Sequence, residues 1–168
     1  RGTARETLRA QAELSKKEHF GDAIFVRGVV EISNYCRENC RYCGMRRDNF
    51  SLKRFRMEKE RILESIFHNL PETITDLNLQ AGEDPRILEE VVLPVIRDLR
   101  THTRLGVSVS LGTLSPGQYR MLREAGADFY ILKLETADAD LYRNLEAPGT
   151  LEERLEAIHG LARSGWHV

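Results

Sequence analysis

Residues 77–85 read Leu-Asn-Leu-Gln-Ala-Gly-Glu-Asp-Pro, and this short run contains the unit from which the fold is built. A strand at 77–80 gives way to the polar cluster Gln80-Ala81-Gly82-Glu83-Asp84, and Asp84 with Pro85 reads as the N-cap and first-turn pair of a helix. In that helix Ile87, Leu88, Val91, Val92, Val95, Ile96 and Leu99 form one wide apolar stripe, and Pro94 is expected to kink it. Outward from this point the unit recurs. Upstream, residues 24–32 (IFVRGVVEI) are rich in β-branched side chains and run as a strand into a cysteine-bearing loop, after which residues 58–70 repeat apolar positions at helical spacing until Pro71. Downstream come a strand at 107–111 and a helix opened by the capping box Ser115 to Gln118 and ended by Gly126. A strand at 129–134 follows, then a helix opened by the capping box Thr150 to Glu153, with Leu151, Leu155, Ile158 and Leu161 as its apolar face and Gly165 as its end. Trp166, His167 and Val168 read as the start of a fifth strand.

The strands read as apolar throughout rather than alternating, which predicts an α/β fold with a parallel sheet covered by helices. An open doubly wound sheet gathers its ligand at one switch point, whereas a (β/α) barrel assembles its site from consecutive strand ends. Here each strand is followed by a polar cluster: the cysteines, then residues 80–84, then Ser110 to Thr113, then Glu135 and Thr136. The expected architecture is therefore a partial (β/α) TIM-type barrel arc, truncated near the fifth strand, with one sheet edge exposed. Residues 1–20 are expected to form an N-terminal helical segment and residues 21–168 the N-terminal portion of the barrel domain.

The chain has 168 residues, 41% of them apolar, enough for one substantial core. A net charge of -1 gives no global attraction to nucleic acid or to an anionic membrane. No apolar run is long enough to span a membrane, and Arg5, Glu6 and Arg9 interrupt any secretory signal, so a cytoplasmic location is expected. Three clustered cysteines in a reducing compartment are poor material for a disulfide framework and better material for a metal or redox centre.

Those cysteines, Cys36, Cys40 and Cys43, form Cys-x-x-x-Cys-x-x-Cys. Three thiolates from one loop suit a cubane 4Fe-4S cluster with one iron left open. Zinc would need a fourth ligand, and the next histidine, His68, lies on a predicted helix. A dithiol at Cys40 and Cys43 leaves Cys36 unexplained. Tyr42 places an aromatic ring beside the last ligand, where it either flanks a purine or orders the loop.

With this spacing and an aromatic residue before the third cysteine, the sequence resembles the radical S-adenosylmethionine superfamily. Residues 29–49, 80–85, 108–112 and 124–154 further resemble the FeFe-hydrogenase H-cluster maturases of the biotin-synthase-like group. The resemblance implies that Cys36, Cys40 and Cys43 ligate a 4Fe-4S cluster whose open iron chelates S-adenosyl-L-methionine, which is cleaved to methionine and a 5′-deoxyadenosyl radical. Tyr42, Gly82, Glu83, Ser110, Glu135 and Arg154 would bind the cofactor, with Gly82 and Glu83 near its amino group and Arg154 suited to its carboxylate. It also implies a small sulfur-containing or iron-bound substrate, an electron donor such as a flavodoxin or ferredoxin, and other maturation proteins as partners. Departures from the maturase pattern are Lys133 and Leu134 in place of Arg and His, Ala81 in place of Ser, and Thr113 in place of an acidic residue.

Competing readings remain for individual residues: Asp84 as a plain N-cap, Arg154 as a solvated surface charge, and Glu135 as a structural carboxylate. The basic run Arg37, Arg41, Arg46, Arg47, Lys53, Arg54 and Arg56 is interrupted by Glu38 and Asp48 and lacks interleaved stacking aromatics, so loop anchoring is expected rather than nucleic-acid binding. His19, His68, His102 and His159 read as surface or helix residues. The functional alternatives are a biotin-synthase-like or methylornithine-synthase-like enzyme and, from a different class, a zinc-stabilised interaction module.

Overall fold

A computed structural model describes residues 2–168. Helix α1 (Thr3–Phe20) buries none of its side chains and breaks at Gly21, whose φ is +60°. Beyond it the chain alternates β1 (Arg27–Ser33), α2 (Lys59–Asn69), β2 (Asp76–Ala81), α3 (Leu93–His102), β3 (Gly106–Ser110), α4 (Pro116–Ala125), β4 (Phe129–Tyr130), the short α5 (Ala139–Asn144) and α6 (Leu151–Arg163). The strands are all parallel and lie in the order β1-β2-β3-β4. Sequential order without reversal leaves no switch point, so this is the barrel arc and not the doubly wound alternative.

The strands differ from the expected uniform apolarity. Val30 and Ile32, Leu77 and Leu79, and Val107 and Val109 face the helices in one continuous core with Ile62, Ile66, Val92, Ile96, Leu99 and Leu122. Alternate positions are polar: Asn78 donates to Gln80 Oε1 at 2.9 Å, and the Ser108 hydroxyl donates to Asn78 Oδ1 at 3.0 Å. Since side chains alternate across a strand, these polar groups occupy the face away from the helices, the concave side of the arc.

Other expectations shift in detail. β1 begins at Arg27 rather than at residue 24, and Ile24 and Phe25 are exposed. β4 pairs only through Phe129 and Tyr130 with Ser108 and Val109, and on its other side an isolated parallel bridge joins Phe129 to His167. Residues 131–134 are therefore extended without a ladder, although Ile131 N–H still donates to Val109 O at 2.8 Å. Ahead of α3 the residues Leu88–Val92 form a π-helical turn that ends just before Pro94. That is where proline, lacking an N–H, disrupts the regular ladder. Both capping boxes form as read, and Gly126 takes the left-handed conformation at φ +112°.

The inward face of α6 is rotated relative to the expected stripe. Leu155 is 37% exposed, whereas Arg154 is 3% exposed and shares its inward side with Leu161. Asp84 also departs from a simple N-cap. It is a buried acid that accepts from Ser33 Oγ at 2.7 Å, from Arg56 Nε at 2.6 Å and Nη2 at 3.1 Å, and from the Arg86 backbone at 3.2 Å. No helix is long and apolar enough to cross a membrane among the described residues.

Candidate functional site

Each βα junction turns from a core-facing apolar strand into a loop at the same end of the sheet, and the predicted site residues meet there. One cavity of about 160 Å³ is lined by Cys36, Cys40, Cys43, Tyr42, Gly82, Glu83, Ser110, Glu135 and Arg154 together. Two adjoining hollows of about 350 Å³ each share Glu83 with it, and Arg37 lines both of them. A larger cavity of about 620 Å³ lies between α4 and α6, lined by Arg120, Arg123 and Trp166, and contains none of these residues.

Glu83 organises the centre. Its carboxylate accepts from Arg37 Nε and Nη2 at 3.1 and 2.9 Å and from the Thr113 backbone at 3.0 Å, with Arg154 Nη2 at 3.9 Å. The acid thus ties the cysteine loop, the β3–α4 loop and α6 together while only 8% exposed. Charge pairing on this scale is what permits a buried carboxylate. Gly82 lets the cysteine loop approach the end of β2: a Cβ there would lie 2.3 Å from Tyr35 O and 2.8 Å from Cys36 Cβ. Nearby the Glu83 N–H donates to Cys36 Sγ at 3.3 Å.

The cysteines are free, with Cys40 buried and the other two partly so. Burial pushes the Cys36 and Cys40 thiols up, while backbone N–H groups, from Glu38 and Glu83 for Cys36, work in the opposite direction. Backbone donors of this kind favour thiolate once a metal centre supplies charge. No three His, Cys, Asp or Glu side chains converge on a single-ion position among the described residues.

Tyr42 is 45% exposed and lines the cavity with Cys40 and Glu135. Burial, reinforced by these two neighbours, pushes its pKa up. Glu135 follows β4 in an irregular segment and adopts φ +69°, a left-handed conformation that a non-glycine residue rarely holds. Arg154 loses hydration by burial, yet Tyr142 and the Glu83 and Glu135 carboxylates outweigh that loss and raise its pKa. The Tyr142 hydroxyl accepts from Arg154 Nε at 3.3 Å. Ser110, the last residue of β3, pairs in register with Gln80.

Sequence reading missed three participants. Arg37 stood only within the basic run, although its position directly after Cys36 marked it. Tyr142 belongs to α5, which carried no periodic signal. The Thr113 backbone N–H carries no side-chain signature at all.

The Radical SAM superfamily model matches residues 30–168. The chain belongs to the radical S-adenosylmethionine superfamily. Among curated proteins this radical SAM chain is 37% identical over 165 residues to the [FeFe] hydrogenase maturase subunit HydE of Thermotoga maritima, covering 97% of the chain and 47% of that relative. It is 26% identical to the 3-methylornithine synthase of Methanosarcina barkeri, with coverage of 97% and 47%. The crystal structure of methylornithine synthase (PylB) superimposes with a TM-score of 0.85 at 25% identity, covering 96% of this chain and 48% of that one. The radical SAM chain therefore spans about half the length of the curated relatives it matches.

Proposed function

We propose that the protein is a radical S-adenosylmethionine enzyme in which Cys36, Cys40 and Cys43 hold a 4Fe-4S cluster and residues around Glu83 bind the cofactor. The observation that carries this reading is the shared cavity: three thiols and Tyr42 from one loop meet Gly82, Glu83, Ser110 and Glu135 from three other strand ends and Arg154 from α6. When bound, the cluster supplies the electron that cleaves S-adenosylmethionine to methionine and a 5′-deoxyadenosyl radical. The chain's own residues do the rest. Tyr42 offers a partly exposed ring for the adenine to lie against. Glu135 presents a carboxylate at the cavity rim, and Arg154 brings a fixed positive charge to its inner wall, suited to a carboxylate. Glu83, bound to Arg37 and the Thr113 amide, holds the loops in position and keeps the wall of the cavity polar.

Likeness to the HydE maturase supports a small sulfur-containing or iron-bound substrate, an electron donor such as a flavodoxin or ferredoxin, and other maturation proteins as partners. Within this reading residues 21–168 form the N-terminal portion of the barrel domain, residues 1–20 a separate helical segment, and the location is cytoplasmic. The close superposition on methylornithine synthase favours a second substrate class, a small amino acid, under the same cofactor chemistry.

Anaerobic incubation of reconstituted protein with S-adenosylmethionine and dithionite tests the reading. It predicts 5′-deoxyadenosine and methionine from the wild type and none from Cys40→Ala. A chain that purifies anaerobically with one zinc and neither iron nor sulfide is the interaction module instead.

A further inference from the structure

The segment that follows the cysteines contains a guanidinium hub. Arg54 Nη1 donates to Asn34 O at 2.5 Å and Met45 O at 2.9 Å, and Nη2 donates to Arg46 O at 2.6 Å, Arg47 O at 3.3 Å and Asn49 O at 3.4 Å. These five carbonyls bracket the cysteines, from two residues before Cys36 to six after Cys43. Irregular backbone must find partners for its polar groups, and here one side chain serves five.

The consequence runs through the peptide plane. In a trans peptide the N–H points opposite to the C=O, so carbonyls 45 to 47 aimed at Arg54 turn the next amides away from it. Those amides bind the cysteine loop itself. Arg46 N–H donates to Cys43 O at 3.3 Å, Arg47 N–H to Glu38 O at 2.7 Å, and Asp48 N–H to Asn39 Oδ1 at 3.2 Å. Asn34 is held at the other end, accepting from Phe55 N–H at 2.7 Å and donating to Lys53 O at 2.9 Å.

We propose that Arg54 is a positioning residue that sets the shape of the Cys36–Cys43 loop before any cluster binds, so that the three thiols meet an incoming cluster already arranged. This rests on the cluster reading above, and it adds a residue that does not line the cavity. Lysine cannot replace it, because a point charge does not reach five carbonyls spread around a planar fork.

Amide hydrogen exchange on the cluster-free wild-type chain gives the first test. Amides of Cys43, Arg46, Arg47 and Asp48 are expected to be protected about a hundredfold over an unstructured peptide, and exchange at peptide rates would overturn the proposal. In Arg54→Lys those amides should lose about tenfold of that protection while Leu79 and Val109 in the sheet keep theirs. Reconstituted R54K should also take up less iron and give a broadened reduced-cluster EPR signal, with Lys53→Ala as an unaffected neighbour. Unchanged loop exchange in R54K would equally overturn the proposal, and if R54K fails to fold the wild-type exchange pattern still decides. Failure of the wild type itself to take up a cluster sinks the functional reading, whereas the cluster-free exchange result tests the role of Arg54 separately.

Discussion

Gly112 makes room for Glu83. A Cβ at position 112 would lie 2.2 Å from Glu83 Cγ and Oε1, and Gly112 itself adopts φ +76°. Gly112→Ala therefore combines a left-handed strain with a collision against the central acid. It should cost about 2 kcal/mol of stability and weaken S-adenosylmethionine binding more than cluster content, measured by thermal unfolding and calorimetry.

Gly82 plays the corresponding part beneath the cysteines. In Gly82→Ala the new methyl meets the Tyr35 carbonyl and Cys36 Cβ, backbone-proximal atoms that cannot swing aside. The prediction is a reversed order of effects: iron content after reconstitution falls severalfold, and cofactor affinity falls only with it. Full iron loading would show that the loop can shift at little cost.

Asp84 links stability to pH. Burial alone would raise its pKa, but Arg56, Ser33 and the Arg86 amide together hold the carboxyl below its ordinary value. A depressed folded-state pKa means that the stabilisation is fully present above the unfolded value of about 3.9 and is lost as pH falls through the folded value. Asp84→Asn should cost about 3 kcal/mol at neutral pH, since it leaves Arg56 facing an uncharged partner. Urea titrations at several pH values should show the gap between wild type and D84N closing on acidification below about pH 4. A constant gap would remove the ion pair as its cause.

The sequence made the strand-to-loop junctions legible because apolar runs and capping boxes are local signals. Eight of the nine predicted site residues fall in one cavity for the same reason, since strand ends sit together by topology, and Arg154 joins them from α6. What it hid is tertiary. Arg154 occupies a core-facing turn of α6, but the leucine at 155 offered an equally regular stripe. Burial of the arginine is favoured by partners on other elements, Glu83 and Tyr142. Asp84 looked like a cap because its real partner, Arg56, lies 28 positions earlier in the chain. β4 was read too long because β-branched and aromatic residues mark extended backbone, whereas a ladder needs a neighbouring strand.

Glu135 holds a left-handed backbone at φ +69° beside Tyr42. Such strain costs about 1 kcal/mol or more in a non-glycine residue, and it persists where a side chain is needed in that place. Glu135→Gly should keep or slightly raise the melting temperature while cofactor affinity drops at least tenfold, and Glu135→Ala should lose the affinity without gaining stability. Unchanged affinity in both variants would return the residue to a structural role.

The most direct test of the central claim is low-temperature EPR on the anaerobically reconstituted, dithionite-reduced chain, with and without S-adenosylmethionine. The account predicts a reduced 4Fe-4S signal whose g-values shift when the cofactor is added, as expected for an open iron that chelates it. A signal indifferent to the cofactor, or no cluster signal from protein with three intact cysteines, would contradict it.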